Sequence, residues 1–504
     1  MNKKLAILGM VGLIMTVVVT ACSDFLDTDV NGVSSIETFY QTDEDAELAI
    51  IATYDILTWH ENSWGWASPT FIKTLPSDEG TCGGANDTDQ PPYQALDDYE
   101  WDATNNALLG TWNVNYYGVF RANMVIENIV PENDLKKRIV AEAKGLRAFF
   151  YLELVTQFGD LPLVLTGLTP AEYNQARVPA ADIYAQIETD LKEAIPELPT
   201  KAQYAAGDKF RVSKGTAYSI LGKAQLYQKK YSEAVSSFNN VTGYSLEPNY
   251  ADIFVESGEF GVESIFEASY SSLGKSNWDN YPWGVRHEDN IHIQLMGPRS
   301  GNIDGLGMLG GWGFNYPSTK MAQAFLDEGD TERYNATILS EADYLTISGD
   351  TEFDPSAWWD YDGYFRLKYG PYVSETILTD PASTPELNYG TNWRLIRYAD
   401  ILLLLAEAHY FDGNEPAAQA ALNEVRDRVG LPDVTVTGNA LFNAIVKERQ
   451  LELAFEGHRY FDLIRWGLAD QELGSLGYTS KHSVFPIPAS ELAAATNMTQ
   501  NDGY

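Results

Sequence analysis

The chain has 504 residues, 44% of them hydrophobic, which is enough apolar material for a large core and, by length alone, for roughly two to four domains. Its 71 acidic side chains outnumber 34 basic ones, and the formal net charge of −37 repels nucleic acid and anionic lipid, which makes both poor partners. The charge is spread along the chain, so it gives no sign of a disordered acidic tail. An acidic balance with 12% aromatic residues fits an exported protein that meets neutral ligands.

At the N-terminus, Lys3 and Lys4 precede an uncharged apolar run over residues 5–19, and the small residues Thr20 and Ala21 lead into Cys22. This pattern is that of a secretory signal peptide over residues 1–21, to be set aside in fold reasoning. Its VTAC ending resembles a bacterial lipobox, which implies cleavage before Cys22 and lipidation of that thiol. The mature chain would then be held at a membrane by a lipid anchor rather than a spanning helix. Cys82 is the other cysteine, so no internal disulfide remains possible.

Residues 22–42 have the composition of a tether. Asp27, Asp29, Asn31 and Gly32 have the spacing that opens a calcium loop, but Thr38 stands where the closing glutamate belongs, so no calcium site is expected. A helix is expected over residues 43–57. From 59 to 106 helical periodicity disappears into Gly, Asp, Asn and Pro. Trp59, Trp64, Trp66, Tyr93, Tyr99 and Trp101 lie in this stretch without flanking apolar pattern, which predicts a surface platform of aromatic rings.

Helical periodicity resumes over 108–126, continues after Pro131 in a long helix, and recurs at 180–195. In the helical pair beginning at Ser213, Leu221, Gly222, Ala234 and Phe238 take the spacing of the packing positions of a tetratricopeptide repeat. Leu405, Ala406, Ala418 and Leu422 repeat those offsets nearly two hundred residues later. Helical repeats at about 108–241 and 392–466 therefore bracket an inserted lobe at about 242–389. In the lobe the sequence predicts one helix, 318–326, and strand-like pieces such as ESIFEASY. Its loops are rich in aromatics, among them Trp278, Trp283, Trp312, Trp358 and Trp359. The G-x-G-x-x-G at Gly305, Gly307 and Gly310 lacks the strand before it and the helix after it, so a dinucleotide site fails on context.

Residues 401–408 are apolar on every side, as in a helix buried all round, and a tight turn at Gly413 and Asn414 folds the next helix back antiparallel. A third helix, expected to run unbroken over 439–466, carries Glu452, Glu456, Arg459, Asp462 and Arg465 at spacings of three or four. Paired carboxylates for acid–base chemistry are one reading of this ladder. An ion-pair network is the better one, since interleaved arginines hold carboxylates ionised.

No zinc spacing, nucleophile elbow or phosphate loop occurs, so neither metal nor cofactor is implied and no catalytic residue is nominated. What remains is flat aromatic surface beside hydrogen-bonding groups, the chemistry that packs the C–H face of a sugar ring. Trp64, Trp66, Trp278, Trp283, Trp358 and Trp359 are the candidate platforms, with Asp78, Glu79, Asn280 and Arg366 as polar partners. Trp312, inside GGWGFNYPS, is read as a loop anchor.

Several ordered blocks resemble one family. FLDTD with ETFYQTDEDAELAIIATYDIL, AEAKGLRAFFYLELVTQFGDLPL, RYADILLLLAEA, ERQLELAFEGHRYFDLIRW, and PIPASEL with QNDGY look like the SusD/RagB-like outer-membrane lipoproteins of Bacteroidetes-type bacteria. The resemblance implies a mostly α fold, a tetratricopeptide-like helical-repeat scaffold with a large loop-rich inserted lobe, in a single domain over 43–504. It also implies a surface-exposed lipoprotein that captures oligo- or polysaccharide and delivers it, uncleaved, to a SusC-like TonB-dependent transporter. A surface glycoside hydrolase and a peptide-binding RagB-like protein are the alternatives. Few lysines or arginines accompany the aromatic loops, which favours a neutral β-glucan over an acidic glycan.

Overall fold

The computed structural model describes residues 39–59, the strand positions 61–62 and 65–66 (backbone alone), and 70–274, 276–280, 289–299, 303–349 and 358–504. The leader, Cys22, the Asp27 segment, Trp64 and Trp283 lie outside the described residues, as do the side chains of Trp66 and Asn280. The protein is mostly α-helical. Helix α1 (Asp43–Tyr54) starts at a capping box on Thr42 and crosses a hairpin of two long helices, α2 (Asn106–Asn128) and α3 (Asp134–Phe158). Helix α4 (Ala180–Ala194) packs on α3 and then on α5 (Lys214–Tyr227), which pairs with α6 (Tyr231–Phe238). Next in space, although far along the chain, comes α7 (Tyr398–Phe411), paired with α8 (Glu415–Arg428). The two stretches with matching repeat offsets are thus direct neighbours, α6 lying against α7.

Local sequence explains this stacking. A Cβ on Gly222 would sit 2.5 Å from the Phe238 ring, so the close approach of α5 and α6 requires glycine there. Helix α7 has two buried faces. Leu402, Leu403 and Ala406 pack with Ala418 and Leu422 of α8 on one side, while Ile401, Leu404 and Ala408 pack with Leu226, Ala234 and Phe238 on the other. Its apolar run is the wall between two clusters, which is why it shows no polar face.

The lobe leaves and re-enters the frame through one antiparallel pair, β1 (Ser264–Ala268) with β2 (Trp393–Arg397), so its two ends are clamped together. The strand expected at ESIFEASY is this β1. In place of the single helix expected at 318–326, the lobe contains Thr319–Glu328 and three further short helices, Ile291–Met296, Thr331–Thr337 and Glu341–Ser348. Three of the four begin at Ser318, Asp330 or Ser340, whose side chains accept from the first turn.

The region at 59–106 corrects the sequence reading. Two short helices, Phe71–Thr74 and Pro91–Asp97, and the strand Gly80–Gly83 fold it onto the core. Trp59, Tyr93, Tyr99 and Trp101 are buried rather than displayed. Tyr93 packs edge-on against Phe71, Trp101 donates its indole N–H to the Tyr504 hydroxyl at 2.9 Å, and the Arg121 guanidinium lies 4.7 Å over Trp59. Elements this short carry no readable period.

The third C-terminal helix is also two. Asn439–Glu452 (α9) stops, Phe455 (φ 61°) and Gly457 (φ 81°) turn the backbone, and Arg459–Trp466 (α10) restarts. The break exposes polar backbone in the interior, which must find partners. Arg366 donates to the Phe455 carbonyl at 3.2 Å, Lys368 to the Ala454 carbonyl at 2.9 Å, and the Phe455 N–H donates to Glu79 at 3.1 Å. Asp78 closes the plug with two bonds from Arg459, 2.8 and 2.9 Å.

Candidate functional site

The break in the C-terminal helix decides where three of the expected polar partners belong. Asp78, Glu79 and Arg366 are 3%, 1% and 1% exposed, so none of them can meet a ligand at the surface. The paired Arg459 and Lys320 hold Asp78 at about 2 against its burial, whereas burial and the neighbouring Asp78 push Glu79 up to about 8. Burial lowers Arg366 to about 9. Those three assignments are corrected: these side chains serve the helix break.

The charge ladder forms buried ion pairs. Glu452 accepts from Arg333, Arg397 and Arg428, Glu456 from Arg397 and Lys368, and Asp462 from Arg449 and Arg465. The three guanidiniums hold the Glu452 carboxyl far below the usual carboxylate range despite its burial. A carboxylate so held offers no proton, and these groups do no acid–base chemistry.

A group of partly exposed aromatic and charged side chains lies where the segments 80–84, 294–299, 312–317 and 358–362 meet through their backbones. The strand Gly80–Gly83 pairs antiparallel with Phe314–Pro317, and beyond it the Gly84 N–H donates to the Gly313 carbonyl at 2.7 Å. Gly84 in turn accepts from the Trp359 N–H at 3.1 Å, which ties the 358–362 turn to the same edge. A Cβ on Gly83 would stand 2.2 Å from the Gly313 carbonyl oxygen, and its φ of +72° disfavours other residues as well, so this clasp depends on glycine. The Trp312 N–H donates to the Gln294 carbonyl at 2.9 Å, and its own carbonyl accepts from Arg299 at 3.0 Å.

On this platform the indoles of Trp278 and Trp312 lie nearly parallel, with centroids 6.0 Å apart and planes at 22°, both half-buried. The Trp278 indole N–H donates to Glu386, which fixes the tilt of its ring. Arg299 approaches Asp89 at 3.6 Å beside them, each side chain about a third exposed (31% and 28%). Trp359 is 42% exposed. Trp358 turns inward instead: it stacks on Tyr316 at 5.6 Å and 6°, with Tyr361 and Phe365 edge-on, and so anchors the turn that presents Trp359. Of the expected platforms, then, Trp278 and Trp359 lie on this face and Trp358 underpins it. The strands Glu61–Asn62 and Gly65–Trp66 pair with each other and pack on α2. Sequence reasoning gave Trp312 an anchoring role only, and it missed Arg299 and Asp89. The glycines on either side of Trp312, which allow two loops to close on it, were the available signal.

Among the described residues, no group of three or more His, Cys, Asp or Glu side chains is placed to hold a metal ion, and no helix is long and apolar enough to cross a membrane.

Residues 262–482 match the family model described as the SusD family, and residues 36–226 match one described as starch-binding associating with outer membrane. Among solved structures, the chain is similar to a laminarin binding SusD-like protein (33% identity, TM-score 0.82, covering 92% of this chain and 100% of that one). It is also similar to surface glycan-binding protein A from Bacteroides thetaiotaomicron in complex with laminarihexaose (26% identity, TM-score 0.80, 92% and 100% covered). SusD-like protein P2 of Formosa agariphila is 25% identical, with 98% of each chain covered, and the starch-binding protein SusD of Bacteroides thetaiotaomicron is 24% identical, with 88% and 87% covered.

Proposed function

The chain is a member of the SusD family of carbohydrate-binding proteins, associated with the outer membrane, and on that premise we propose that it captures a neutral β-glucan. It is a binding protein and not an enzyme, in keeping with its family. The ligand is an oligo- or polysaccharide of the laminarin type, and the contact face is the one built by Trp278, Trp312 and Trp359. A lipid on Cys22 holds the chain at the cell surface, and the captured glycan passes uncleaved to a SusC-like TonB-dependent transporter.

The single observation that carries the reading is the Trp278–Trp312 pair. Two nearly parallel indoles, held by backbone bonds and by Glu386, offer flat apolar area at fixed tilt. The C–H face of a sugar ring packs on such area at roughly 25 cal/mol per Å² buried, so one ring gives modest affinity and several in line act together. The Arg299–Asp89 pair alongside supplies both donors and acceptors for hydroxyl groups. Its charges cancel, which suits an uncharged ligand. The laminarin-binding relatives agree with that ligand class.

Affinity electrophoresis through a panel of polysaccharides tests it, with a reducing-end assay run in parallel. Laminarin should retard the wild-type chain, and the retardation should weaken in Trp278→Ala and in Trp312→Ala. Newly formed reducing ends, or retardation by laminarin that neither substitution weakens, would overturn the proposal.

A further inference from the structure

A second concavity lies on the helical frame, away from the loops just described. Its floor is α2, where Trp112, Tyr116 and Phe120 recur every fourth residue and so form one aromatic stripe two turns long. One opposing wall carries Tyr173, and the other is the C-terminal helix Ala489–Ala494 with Glu491. The cleft encloses ≈ 700 Å³, the scale of a small-ligand site. Phe120 is 51% and Tyr173 60% exposed, so both rings are open to a ligand.

The cleft is preformed. The Tyr116 hydroxyl donates to the Pro162 carbonyl at 2.9 Å and Asn123 to the Val164 carbonyl at 3.0 Å, which seats the wall segment on α2. Asn174 then ties that wall to the C-terminal one, donating to the Thr496 hydroxyl at 3.0 Å and accepting from the Asn497 N–H at 2.9 Å. With its hydroxyl so engaged, Tyr116 presents chiefly its ring. The cation at the rim is committed elsewhere: Arg121 pairs with Asp55 at 2.9 Å and donates to the Ala52 carbonyl. The one carboxyl in the lining, Glu491, is partly buried, and a hydrogen bond from Trp112 supports it. Flat rings, an acceptor beside them and no available cation select a ligand with an apolar face and neutral hydroxyls.

Resting on the glycan-binding reading above, we propose that this cleft is a second saccharide site, in which Phe120, Tyr116 and Tyr173 hold another stretch of the same neutral glycan. Two sites on one chain convert the second contact into an intramolecular one, so polysaccharide affinity exceeds that of either site alone. The purified chain titrated with laminarihexaose by calorimetry tests this. Wild type should bind two hexasaccharides, while Phe120→Ala/Tyr173→Ala and Trp278→Ala/Trp312→Ala should bind one each. The first pair should also weaken polysaccharide binding on the order of tenfold with an unchanged thermal melt, since both side chains are exposed. Wild-type binding of one hexasaccharide, abolished by the loop pair and untouched by the frame pair, overturns the cleft and leaves the loop site standing. A wild-type chain that binds no saccharide removes both.

Discussion

The protein treats charge in opposite ways in its two halves. Around the C-terminal helices, arginines and carboxylates are buried in dense mutual contact, Glu452 alone meeting three guanidiniums. On the loop face of the lobe the surface is aromatic, and the charged pair beside it, Arg299 with Asp89, stays partly in water. The first arrangement locks elements that are far apart in sequence: Arg397 at the end of β2 reaches Glu263 from one end of the lobe and Glu452 and Glu456 from the C-terminal helices. The second offers shape without strong fields. Burial thus separates a side chain that holds the fold from one that meets a ligand, and residue type alone does not.

The sharpest way to break this comparison is to remove a charge from the buried network. Arg397→Met should leave three carboxylates short of a partner in the interior and destabilise by about 3–5 kcal/mol, measured by chemical denaturation. A loss below about 1 kcal/mol would show that the network is dispensable. Crowding the frame should come next. Gly222→Leu drives a side chain into the Phe238 ring and should cost about 1–3 kcal/mol, with little change in glycan affinity.

On the loop face the expected effects reverse. Trp312→Ala should lower the melting temperature far less than Arg397→Met does and lower glycan affinity about tenfold, the equivalent of about 1.4 kcal/mol, read by calorimetry. Asp78→Asn should do the opposite, keeping affinity while loosening the Arg459 contact. Equal effects on both measurements from both variants would erase the distinction between the halves.

The frame was legible because its signals are local and repeated. The all-round apolar run at 401–408, the small residue at Gly222 and the offsets shared with Ala406 each report a packing surface within a few residues of themselves. The C-terminal helix break was not, because Phe455 adopts φ 61° only with partners supplied by Glu79, Arg366 and Lys368 from distant parts of the chain. For the same reason, polar residues in loop-like sequence were assigned to the surface. Aromatic residues misled in both directions. Trp101 has the loop context of a platform, yet it is covered by the C-terminal tail through Tyr504, while Trp312 has the context of a turn and lies beside Trp278. Neither long-range partner leaves a trace in the neighbouring residues.

The smallest expected effect is the most specific to the helix break. Asp78 and Glu79 are adjacent and buried, yet their carboxyls shift in opposite directions. Asp78, at about 2 in the fold against an ordinary 3.8, stabilises above 3.8, and that stability is lost as pH falls through about 2. Glu79, at about 8 against 4.5, binds a proton in the fold that the unfolded chain has released. Its contribution is complete below about 4.5 and drains away as pH rises through about 8. Melting temperatures taken between about pH 5 and 8 should therefore fall by a few degrees in the wild type. In Glu79→Gln, which keeps an acceptor for the Phe455 N–H without a titrating proton, the same series should be flatter. Parallel slopes in the two proteins would mean that Glu79 is ionised in the fold, and the plug at the helix break would then need a cation that now serves Asp78.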